Sequence, residues 1–83
     1  MHAVEFLPSA ARELSKLEPV VRRRLARRID RLAQDPRADA VKLRGTEDVW
    51  RARVGDYRIL YQVHDYRLLI LVIRIGHRRD VYR

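Results

Sequence analysis

The residues best suited to chemistry are arginines and tyrosines on segments with a period of two. Arg51 and Arg53 alternate with Trp50, Ala52 and Val54, so the two arginines project together from one side of a strand. Gly55-Asp56 marks a turn, and Arg58 follows it on the next strand, on the side shared by Leu60, Gln62 and His64. Further on, Gly76 is followed by His77, Arg78, Arg79 and Tyr82. Like charges held opposite one another on a sheet cost stability, so cations gathered there make sense if an anion sits among them. Salt bridges to Glu47, Asp48, Asp56 or Asp80 are the purely structural alternative. The substrate that suits guanidinium groups and a tyrosine is a phosphodiester, on which Arg neutralises the charge that develops on the phosphate.

Other chemistries fit poorly. The chain has no Cys, which removes a disulfide scaffold, a thiolate nucleophile and Cys-ligated zinc. His2, His64 and His77 have neither ligand spacing nor a carboxylate cluster, so no metal site is expected, and no cofactor is implied. Ser9 and Ser15 sit on or beside the first helix, away from any nucleophile elbow. Gly45, Gly55 and Gly76 form no phosphate-cradling loop.

These groups must be positioned by a small, basic chain. Its 83 residues are expected to form one domain over residues 1–83, near the lower size limit for a self-sufficient core. Lys and Arg number 19 against 11 Asp and Glu, for a net charge of +8, which favours polyanionic partners. A hydrophobic share of 47% is too high for a disordered basic tail. The longest apolar run, Leu68 to Ile73, is too short to span a membrane, and no signal peptide is visible. The sequence therefore reads as a soluble domain of a reducing compartment, the cytoplasm, with no membrane partner.

Periodicity supplies the elements. Residues 2–6 read as a short strand with Val4 and Phe6 on one face. Pro8 opens a helix running roughly Ser9 to Lys16, and Pro19 opens a second one, since proline fits a first helical turn. Val21, Leu25, Ile29 and Leu32 form the apolar stripe of that second helix, and Pro36 ends it at about Gln34. Arg23, Arg24, Arg27, Arg28 and Arg31 lie off the stripe, as a solvated face or as a docking surface for RNA phosphates. Asp35 to Asp48 is the one flexible-looking segment. Three strands follow: Val49 to Val54, Tyr57 to His64 and Leu68 to Ile75, with Asp65-Tyr66-Arg67 as a hairpin loop and Gly76 as the end of the last strand. The third is apolar on both faces until Arg74, which suits a central strand. The expected fold is α+β: a strand, a helical hairpin, then a three-stranded antiparallel meander, with the helices on one face of the sheet. The partner of the first strand is left open.

Three motifs together resemble one family. They are Lys42-Leu43-Arg44-Gly45, then Trp50-Arg51-Ala52-Arg53-Val54-Gly55-Asp56-Tyr57-Arg58-Ile59-Leu60-Tyr61, then Ile73-Arg74-Ile75-Gly76-His77-Arg78-Arg79-Asp80-Val81-Tyr82. This combination, preceded by Phe6-Leu7-Pro8, is similar to the RelE/ParE toxin superfamily over nearly the whole chain. The resemblance implies a RelE-like fold and a toxin of a type II toxin–antitoxin system. It would be a metal-independent, ribosome-dependent endoribonuclease that cuts mRNA in the A site and stops translation. The partners implied are a cognate antitoxin, mRNA and the ribosome with its ribosomal RNA, with operator DNA reached only through the toxin–antitoxin complex. The family's functional positions fall on Arg51 and Arg53 as substrate-binding residues and on Arg58, Arg78 and Tyr82 as catalytic ones. Filling all five favours the RelE type over a ParE-like inhibitor of DNA gyrase that lacks nuclease activity.

The sequence departs from the family pattern at the basic pair, where the best-known relatives carry Lys. Arg stays protonated, so Arg51 and Arg53 are poor general bases but remain competent to bind phosphate. His77, beside Arg78, has a side chain suited to proton transfer, and either His77 or Tyr82 is expected to supply acid–base function.

Overall fold

The structure, a computed structural model, describes residues 1–45 and 48–77. In chain order the elements are β1 (Ala3–Phe6), α1 (Pro8–Ser15), α2 (Pro19–Gln34), β2 (Val41–Lys42), β3 (Val49–Val54), β4 (Tyr57–His64) and β5 (Leu69–His77), with a 3-10 turn over Asp65–Arg67. Proline stands in the first turn of both helices, as expected from its missing N–H.

Among the described residues the strands form one sheet in the order β1-β5-β4-β3-β2. The meander β3-β4-β5 is antiparallel, and β2 adds to its far edge through Val41 opposite Arg51. β1 runs parallel to β5, from Ala3 opposite Leu69 to Phe6 opposite Val72. That makes β5 central, which explains why its residues are apolar on both sides. Two expectations are extended here. The meander is part of a larger, mostly antiparallel sheet, and β5 continues through Gly76 to His77 rather than stopping before the glycine.

Both helices cover one face. Leu25, Ile29 and Leu32 of α2 are buried against Ala52, Ile59, Tyr61, Val63, Ile70, Val72 and Ile75 of the sheet. Deleting a side chain such as Leu25, which is fully buried, costs about 2–5 kcal/mol in cores of this kind. Val4, Phe6, Leu14, Leu17 and Val21 pack around the rim of this core.

The segment after α2 is tied down at its start, contrary to its flexible composition. The Tyr61 hydroxyl donates to the Pro36 carbonyl at 2.6 Å. Arg28 donates to the carbonyls of Ala38 and Asp39, and Arg31 pairs with the Asp39 carboxylate at 2.7 Å. Arg37 lies 5.4 Å over the Trp50 ring and reaches Asp65 at 2.9 Å. That hydrogen bond holds the Asp65 carboxyl below its usual range.

Candidate functional site

The face of the sheet turned away from the helices carries the arginines. Arg51 and Arg53 leave β3 on this side because Trp50, Ala52 and Val54 take the core side. The two-residue turn into β4 uses Gly55 at φ 58, a left-handed position that glycine takes without strain. It sets Arg53 directly opposite Arg58. Two like charges as cross-strand partners are destabilising in themselves.

Arg58 is the buried charge of the described residues, at 6% exposure. Its Nη1 donates weakly to the neighbouring Tyr57 carbonyl at 3.4 Å, and its Nε is buried with no described acceptor. On its other side the cross-strand partner is Gly76, which has no side chain to compete for the space. Neither Asp48 nor Asp56 pairs with Arg53 or Arg58 among the described residues. A buried guanidinium with an unmet donor carries a desolvation cost that a bound anion would offset.

A bulge in β5 decides which residues reach this face. Leu60 pairs with Arg74 and Tyr61 with Val72, so Ile73 is the extra residue. Counting in twos from Ile70 and Val72 would send Arg74 into the apolar core. The bulge sends Ile75 inward instead and brings Arg74 and Gly76 to the side of Leu60 and Arg58. It also moves His77. His77 pairs with Tyr57 on the helix side of the sheet, where the two rings meet edge to face at 5.8 Å. Strand phase thus places His77 and Arg58 on opposite faces of the sheet. Arg74 is the converse case, a residue that the motif reading did not single out. A cation at an inward position of an apolar strand is the signal that marks it. Arg78 and Tyr82 lie outside the described residues.

A second cationic region lies around the edge of the sheet. Arg24, Arg27, Arg28 and Arg31 of α2, with Arg53, Val54 and Gly55, line an open cleft of about 380 Å³ without an acidic side chain among them. The turn comes close enough that a Cβ on Gly55 would stand 3.5 Å from Arg24 Nη2. Arg53 therefore belongs to both regions. Arg23 is exposed but does not line the cleft.

A family profile described as "ParE toxin of type II toxin-antitoxin system, parDE" matches residues 4–82. The chain belongs to this toxin family. Its relatives on the RelE side are similar over most of their lengths. The chain is 34% identical to the mRNA interferase toxin RelE of Escherichia coli (strain K12), covering 95% of this chain and 87% of that one. It is 32% identical to toxin RelG of Mycobacterium tuberculosis (strain ATCC 25618 / H37Rv), covering 99% and 97%. The fold superposes on the toxin in the crystal structure of the intact E. coli RelBE toxin–antitoxin complex with a TM-score of 0.85 and 32% identity, over 93% of this chain and 96% of that chain.

Within this RelE/ParE fold, the face holding Arg51, Arg53 and Arg58 can bind and polarise a phosphate but offers no base of its own among those three. Guanidinium groups remain protonated and act as donors and charges only. No helix among the described residues is long and apolar enough to cross a membrane.

Proposed function

We propose that this toxin is a ribosome-dependent endoribonuclease that cuts mRNA in the A site, without a cofactor, and thereby inhibits translation in the cytoplasm. The observation that carries the reading is Arg58, buried, with no described acceptor for its Nε, and directly opposite Arg53 on the sheet face turned away from the helices. It is supported by similarity to a protein named an mRNA interferase toxin.

In this reading the RNA 2′-hydroxyl attacks the adjacent 3′-phosphorus and gives up its proton to solvent. The P–O2′ bond forms, the P–O5′ bond breaks, and the 5′-oxygen of the leaving nucleotide takes up a proton. The products are a 2′,3′-cyclic phosphate, or its hydrolysis product, and a free 5′-hydroxyl. Arg58 and Arg78 stabilise the extra negative charge on the phosphate, where preorganised donors have their largest effect. Arg51 and Arg53 hold flanking phosphates, and Tyr82 orients the nucleotide by stacking or through its hydroxyl. His77, on the far side of the sheet, is given no part in proton transfer.

The cleft of Arg24, Arg27, Arg28 and Arg31 docks ribosomal RNA, with Arg23 at its margin adding long-range attraction. A cognate antitoxin holds the toxin inactive, as the RelB antitoxin is bound to RelE in the E. coli complex. Operator DNA is contacted only through the toxin–antitoxin complex.

The test is mapping of 5′ ends in an mRNA under translation, with and without ribosomes. Cuts within the A-site codon that require ribosomes are expected, and their absence overturns the reading. Because the matching profile bears the ParE name, DNA gyrase supercoiling is measured alongside. Inhibition of gyrase without RNA cuts would assign the chain to a gyrase-inhibiting class instead.

A further inference from the structure

Arg74 is the remaining cation on the substrate face, and the contacts of Glu13 explain how it is held there. β1 covers the edge of β5 only as far as Val72, whose carbonyl takes the Leu7 N–H at 2.9 Å. Beyond that point α1 lies beside β5. Glu13 of α1 uses one carboxylate oxygen to accept the Ile75 N–H at 3.1 Å. Its other oxygen lies 3.7 Å from Arg74 Nε. A single side chain thus ties the backbone just after the bulge and the guanidinium the bulge has turned outward. The carboxylate is itself only partly exposed, at 30%, so its charge is screened less than that of a surface pair.

The result is a ring of cations around an apolar floor. Leu60 is flanked across the strands by Arg51 on one side and Arg74 on the other, with Arg58 two residues along on its own strand. Leu60 is 8% exposed on the face turned away from the helices, which fits a side chain flanked by long arginine stems. Arg51 and Arg74 leave the backbone two strand spacings apart, about 10 Å, on opposite sides of Leu60.

We propose that Arg74 binds an RNA phosphate next to the scissile one, on the β5 side of Arg58, and that Glu13 is its positioning residue. This rests on the nuclease reading above and deepens it by giving the RNA strand a direction across the sheet, from Arg51 over Leu60 to Arg74. Arg74 binds ground state and transition state alike, so it acts on substrate binding and leaves the chemical step unchanged.

The test is single-turnover cleavage of A-site mRNA over a range of ribosome-complex concentrations and salt. Arg74→Ala is expected to raise the half-saturating concentration about tenfold with a maximal rate within about threefold of wild type. It should also reduce the steepness of the salt dependence by roughly one phosphate contact. Arg74→Lys should restore most of the binding. Glu13→Gln keeps an acceptor for the Ile75 N–H while losing the carboxylate charge that faces Arg74, and should reproduce part of the binding defect with an unchanged melting temperature. A folded Arg74→Ala protein with wild-type half-saturation and salt dependence overturns the assignment while leaving the nuclease reading intact. A fall in maximal rate alone overturns it too. Absence of ribosome-dependent cuts by the wild type overturns both.

Discussion

Two groups of arginines share this small molecule and meet at Arg53, but they are built differently. On α2, Arg28 and Arg31 are already engaged with the carbonyls and carboxylate of Ala38 and Asp39, and the cleft they line is open to water. On the sheet, Arg58 is buried opposite another arginine with an unmet N–H. Exposed cations cost little and report little, because solvent satisfies them. A buried cation facing its own kind is retained against a stability cost, and such a cost points to function. The contrast explains why net charge alone says so little about activity here. In the proposed reading the cleft serves docking, whereas Arg58 on the sheet face serves the breaking of the bond.

The strongest way to erase this difference is to give the sheet face the acid that α2 already has. Arg53→Glu places a carboxylate opposite Arg58, creating a cross-strand pair. A small rise in melting temperature is expected, with cleavage lowered by about 10²-fold as the donor is neutralised. Unaltered cleavage would show that Arg58 is not the group that polarises the phosphate.

The cleft is tested by reversing charge where no described partner is lost. Arg24→Glu combined with Arg27→Glu should raise the half-saturating ribosome concentration by about tenfold or more and flatten the salt dependence, with little change in maximal rate. A fall in rate at saturation would instead join the cleft to the chemistry.

A pH effect distinguishes the scaffold beneath the two regions. Burial pushes the Tyr61 hydroxyl up to about 12, partly opposed by Arg28 and Arg37. The unfolded chain ionises near pH 10, so the stability held by neutral Tyr61 is complete below pH 10 and is lost as pH rises from there through about 12. Tyr61→Phe should remove that alkaline loss and cost about 1 kcal/mol at neutral pH through the hydrogen bond to Pro36. Thermal melts from pH 7 to 11 read both.

The smallest effect concerns His77. Because the bulge turns it toward Tyr57, His77→Ala should change cleavage by less than about threefold and leave the pH–rate profile in place. A changed pH–rate profile would return His77 to the reaction.

Local rules made much of this legible. Pro8, Pro19 and Pro36 mark the helix starts and stop, and alternation together with the Gly55-Asp56 turn puts Arg51, Arg53 and Arg58 on one face. What escaped depends on pairing at long range. The parallel partnership of β1 with β5 is a choice between sheet edges that short apolar segments do not encode. β2 is only Val41–Lys42, too short to show a period. The bulge at Ile73 shifts phase by one residue, exchanging His77 for Arg74 on the face that carries Arg58. The turn at Pro36 to Asp39 looks loose by composition because its anchors, Arg28 and Tyr61, are remote in sequence.

The central claim is that a buried, acceptor-poor Arg58 is kept for phosphate chemistry. Its most direct test compares Arg58→Met with wild type in single-turnover cleavage of A-site mRNA, alongside thermal melts of the same proteins. The account predicts a variant at least as stable as wild type, saturating at a similar ribosome concentration, with a maximal rate lower by about 10²–10³-fold. A variant that cleaves at the wild-type rate, or that loses its fold on losing the guanidinium, would contradict it.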